Sequence, residues 1–84
     1  MDVPKYPTGA IRFDGGVLSI LGGETVSIPV ADITGIESRP AKKKGLLALE
    51  VSFRQGVGTA TSKMLVSANH QTALDALITA VRQG

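Results

Sequence analysis

Nucleophilic catalysis needs a nucleophile, a base and a group that orients the base, all within hydrogen-bond reach. In 84 residues the chain offers one histidine, His70, and no cysteine. His70 falls at the start of a segment with helical periodicity, where a structural or solvent-facing role accounts for it. Acid–base work by carboxylates needs a pair in environments that separate their pKa values. Here Asp14, Glu24, Asp32, Glu37, Glu50 and Asp75 are scattered singly, and turn or solvent-face positions explain each. No spacing of ligand-type residues fits a metal site. The run from Gly56 to Lys63 touches two phosphate-loop templates and fails both: the dinucleotide pattern needs glycine where Thr61 stands, and the P-loop needs Gly-Lys before its final Ser or Thr. Its flanks read as strand on both sides, so a hairpin turn is the simpler account. The sequence therefore points to no catalytic, cofactor or metal residues, and to a protein that is not an enzyme.

The remaining candidate is a charge cluster. Nine Lys and Arg against seven Asp and Glu give a net charge of +2. Four of the nine, Arg39, Lys42, Lys43 and Lys44, stand together without an acidic residue between them, so the rest of the chain is net acidic. Clustered cations attract phosphates or acidic protein surfaces, with Pro40 and Gly45 fixing the loop ends. A lysine-rich tip can equally be a solvated device that keeps a sheet edge from pairing. Tyr6, Phe13 and Phe53 are the only aromatics, and both phenylalanines are expected to be buried, so no stacking platform for bases forms and nucleic acid is not an expected partner.

The elements that must position this loop are legible from periodicity. Pro4, Pro7 and Gly9 mark residues 1–8 as a tail or edge segment ahead of a single domain over 9–84. Ile11 to Asp14, then Gly15-Gly16, then Val17 to Leu21 read as a tight hairpin. Leu21 to Glu24 turns the chain into Thr25 to Ile28, and Pro29 ends or edges that strand. A strand from Ile33 to Arg39 carries Gly35 as a bulge signal. Leu47, Leu49, Val51 and Phe53 alternate through the strongest strand, whose other face wets toward its end. A last strand spans Thr59 to Ser67. Spacing then switches to a helical period: Ala73, Leu74, Leu77, Ile78 and Val81 form one stripe of a helix from about Asn69 to Gln83, with Asn69 as N-cap, Arg82 at the negative end and Gly84 as the stop. The expected fold class is mainly β (α+β): an antiparallel barrel or split β-sandwich of about six to seven strands capped by one C-terminal helix.

Ile11-Arg12-Phe13-Asp14-Gly15, Ile28-Pro29-Val30 leading to Ile33, Arg39-Pro40 with the basic loop before Gly45-Leu46, and the helix around Ala73 to Val81 occur in an order that resembles bacterial pleckstrin-homology-like domains, particularly those of actinobacteria. The resemblance covers about residues 8–83. It implies a seven-stranded pleckstrin-like β-barrel or split sandwich plugged by the helix, the seventh strand to come from residues 3–9, and binding in place of catalysis. Lipid-binding members of that fold place basic residues in the loop joining their first two strands; on the six-strand reading that loop is Asp14-Gly15-Gly16, without a base.

The domain is small enough to bury only about 60–65% of its unfolded surface, and it has no disulfide or Cys-based zinc site to supplement the core. Absence of cysteine, and of a basic n-region leading into an apolar run, predicts a soluble cytoplasmic protein. Two roles fit. One is a protein-interaction or scaffold module that docks a protein partner or self-associates as a homo-oligomer through strand edges. The other is a peripheral binder of anionic surfaces, acidic lipid head groups or acidic proteins, through Arg39, Lys42, Lys43 and Lys44.

Overall fold

Short alternating segments bounded by glycine and proline sort the first half of the chain into four strands. The computed structural model describes every residue except Glu24, so the end of the expected 21–24 turn lies outside the described residues. Strands β1 (Asp2–Pro4), β2 (Ala10–Asp14), β3 (Val17–Leu21) and β4 (Val26–Pro29) form one antiparallel sheet in that order. The β2–β3 hairpin closes on Gly15 and Gly16, whose φ values of 58° and 75° are the paired left-handed positions of a turn that matches strand twist. One row of side chains, Val3, Ile11 and Ile20, and a second, Leu18 and Ile28, face inward and are buried.

β1 lies in the segment expected as a tail or edge and brings the described strands to seven. Three residues ending in a proline carry no alternation to read, yet Val3 pairs with Ile11 and is wholly buried. Outside it, Arg12 grips Asp2 through two hydrogen bonds of 3.0 and 3.2 Å. That hydrogen bond holds the exposed Asp2 carboxyl below its ordinary pKa.

The second sheet holds β5 (Ile33–Pro40), β6 (Leu46–Gln55) and β7 (Gly58–Ser67) in that order. The β5–β6 register slips between Ile33 and Gly35, the bulge that Gly35 signals. Ile36 and Val51, Leu49 and Met64, and Leu47 and Val66 line its buried face, while Glu37, Glu50 and Lys63 align on the opposite, wetter one. Phe13 and Phe53, expected inside, are only half-buried and pack on the margin of the core.

The sheets do not close into a barrel; they form a split sandwich capped by α1 (Gln71–Gln83). Leu74, Leu77, Ile78 and Val81 face the core at i, i+3, i+4 and i+7. Ala73 was expected on that stripe but is exposed, because Leu74 and Leu77 already occupy its centre and Ala73 turns about 100° away. The cap also differs from expectation. The chain leaves β7 directly into a 3-10 turn, Ala68–His70, and Ser67 Oγ accepts the Asn69 N–H at 3.3 Å. Ser67 is the last extended residue before the chain coils, so its side chain, not that of Asn69, reaches the free amide. His70 precedes α1 without a side-chain cap.

Candidate functional site

Proline 40 ends β5, and the five residues Ala41 to Gly45 return the chain to β6. Ala41 N–H donates to Leu46 O at 3.0 Å, and Gly45, in left-handed conformation at φ 83°, offers its carbonyl to Ala68 N–H at 2.9 Å. The loop is thereby fixed to the start of the helical segment, with Lys42, Lys43 and Lys44 all exposed. None of the three lies within ion-pair distance of a carboxylate among the described residues, and Lys43 Nζ sits 5.7 Å from the centre of the Tyr6 ring.

Arg39 is separated from that trio. It pairs opposite Ala48 on β6, which brings its guanidinium onto the carboxylate of Glu50, two residues along the same strand. Its charge is matched across the sheet, and the free positive feature consists of three lysines. The sequence could not show this, because Glu50 becomes a neighbour only through the β5–β6 register.

His70 borders a shallow hollow beside Lys5, Tyr6, Pro7 and Ser67. The hydroxyl that lines the same hollow, Ser67 Oγ, is engaged by Asn69 N–H, and no hydroxyl or carboxylate hydrogen-bonds to the imidazole among the described residues. That arrangement supplies no activated nucleophile. No three His, Asp or Glu residues among those described gather as metal ligands.

The remaining surface with unsatisfied bonding capacity is a strand edge, and open sheets have several. β1 has its far side against α1 and β7. α1 lies along β5, and Arg82 donates to Ile36 O at 2.8 Å there. β4 is four residues long and ends in Pro29. Val30 N–H donates back to Gly16 O, so by alternation Pro29 faces the free side, where a missing N–H removes nothing from the ladder and blunts the edge.

β7 is different. It is ten residues long and pairs with β6 in unbroken register. Only its C-terminal half is covered, where Tyr6 N–H donates to Leu65 O at 2.8 Å. That bond shows which residues of β7 turn their backbone groups away from β6: Leu65, and by strict alternation Lys63, Thr61 and Thr59. The last three have no backbone partner on that side among the described residues. Pro29 marks one blunted edge in the sequence; which of the others stays open depends on the packing of β1 and α1, which no local signal encodes.

No helix of the chain is long and apolar enough to cross a membrane. Compared with known protein families, with curated proteins and with solved structures, the chain matches none of them.

Proposed function

We propose that this chain is a non-catalytic binding module of pleckstrin-homology-like type that docks protein, a second copy of itself included, along the open edge of β7. The observation that carries the proposal is the set of free backbone groups at Thr59, Thr61 and Lys63 on a ten-residue edge strand, while β4 ends in Pro29 and β1 and β5 have α1 packed beside them. An extended segment laid there gains main-chain hydrogen bonds without any pocket, which is the physics of strand addition. The four-plus-three strand arrangement with a C-terminal helix supports the family reading, since that is what the resemblance implies. Counting β1 moves the loop between the first two strands to Lys5–Gly9, whose one base, Lys5, turns its Nζ to Gly22 O at 3.2 Å. We place the module in the cytoplasm, where a cysteine-free domain loses nothing to reduction.

The lysine loop is an accessory to this role. Each lysine near an anionic membrane contributes about 1 kcal/mol, so the trio contributes about 3, short of the roughly 4 kcal/mol of even a millimolar complex. Its positive potential speeds and orients encounters with acidic surfaces.

Thr61→Pro tests the edge. The Thr61 N–H points away from β6, so proline there removes an outward donor while leaving the β6–β7 ladder whole. Immobilised wild-type protein is expected to retain from native lysate at least one protein that folded Thr61→Pro releases. Retention of every bound protein by both forms would remove the edge from the binding role.

A further inference from the structure

The proposal that β7 is a docking edge leaves its occupant open, and the strand itself restricts the choice. We infer that the occupant is a second copy of this chain, its β7 antiparallel to the first across a two-fold axis at Thr61, so that two three-stranded sheets become one of six. The inference rests on the edge-docking reading and goes beyond it in naming partner, symmetry and register.

Alternation puts the free backbone groups at Thr59, Thr61 and Lys63. A two-fold at Thr61 sets Thr61 against Thr61 and Thr59 against Lys63, and every outward N–H and C=O of the three finds a mate, about six hydrogen bonds in all. Lys63 is the only charged side chain in β7. In this register it meets a threonine and never the other Lys63, and like charges directly opposite each other would oppose pairing. The neighbouring registers are worse for stated reasons. A two-fold at Lys63 opposes the two lysines and drives Thr61 against Leu65, whose carbonyl already serves Tyr6. A two-fold at Thr59 runs the second strand into the Gly56–Val57 turn and leaves Lys63 unpaired.

Exposed apolar surface supplies a second, independent observation. Among the described residues Met1, Tyr6 and Val57 are the large apolar side chains left in water, and Val57 is fully exposed at the β6–β7 hairpin tip. Val57 and Leu65 lie four residues on either side of Thr61, roughly 13 Å each way. The two-fold therefore brings Val57 of each copy level with Leu65 of the other, beside Tyr6, which is hydrogen-bonded to Leu65 and 41% exposed. Because Tyr6 already holds Leu65 O, the second copy leaves the edge at this level and its hairpin tip passes next to the exposed Tyr6 side chain. The contact is isologous and closes on itself, so it gives a dimer and not a fibre.

A cysteine-free chain makes the register directly testable. Opposed residues of a hydrogen-bonded antiparallel pair have Cα atoms about 5.5 Å apart, within disulfide range, so Thr61→Cys should cross-link to dimer on mild oxidation. Thr59→Cys faces Lys63 of the other copy, and its own counterpart lies about 14 Å away, beyond bridging. The expected result is at least about tenfold more covalent dimer for Thr61→Cys than for Thr59→Cys at equal concentration, and a wild-type mass in light scattering of twice 8.7 kDa. Equal cross-linking of the two variants, or a wild type that keeps the monomer mass at millimolar concentration, overturns the dimer. A monomeric wild type that still loses a lysate partner on Thr61→Pro overturns the second copy alone and leaves the edge-docking reading standing.

Discussion

Lys42, Lys43 and Lys44 are free because their loop is tied down by backbone bonds, Ala41 to Leu46 and Ala68 to Gly45, and not by their own side chains. Their charge is therefore available at no cost to the fold. Wild-type protein should co-sediment weakly with acidic liposomes at low salt and detach at moderate salt, since charge attraction of this size is screened within about 10 Å at 0.1 M. Replacing all three lysines by alanine should abolish the low-salt binding; sedimentation equal to wild type would show that the loop takes no part. The trio was legible in the sequence as a run of like charge. Arg39 was grouped with it because adjacency is all a sequence offers, whereas the strand register pairs Arg39 with Glu50. His70, expected in the first turn of the helix, lies in the 3-10 turn that precedes α1.

Among the elements, α1 has the largest structural duty. Leu74 and Leu77 are wholly buried, and Ile78 and Val81 nearly so, against both sheets. Truncating such a leucine costs about 2–5 kcal/mol, comparable to the entire stability of many small domains. A charge in its place is worse, because no partner waits there. Leu77→Asp should therefore abolish the cooperative thermal transition, while Thr79→Asp on the exposed face leaves it within a few degrees of wild type; a wild-type melting curve for Leu77→Asp would show that α1 does not close the sandwich. The helix and β6 were readable because each sustains one periodicity for ten residues or more. β1 was legible only as a tail or edge segment, since three residues have no period, and its place is set by Val3 entering a core that β2 and β3 have already built. The cap was misplaced by two residues for a related reason: asparagine and serine are both good caps, and only the point at which β7 stops being extended decides between them.

At the scale of the molecule, the seven strands among the described residues, in two sheets, leave edges that a closed barrel would not have, and each is treated differently. One carries Pro29, one receives Arg82 of α1 at Ile36 O, one rests against α1 and β7, and the N-terminal half of β7 is left bare. A long, regular, uncovered edge is a ready-made template for another strand. The identity of that edge is a property of the assembled fold, invisible in any single segment, which is why composition and motifs stop short of function here. The central claim is that this edge is the binding surface and that a second copy fills it. Its most direct test is the mass of wild type and Thr61→Pro by light scattering across a concentration series. The account predicts that wild type rises from 8.7 kDa toward twice that value while folded Thr61→Pro stays at the lower mass. Two curves that coincide, whether both monomeric or both dimeric, would contradict it.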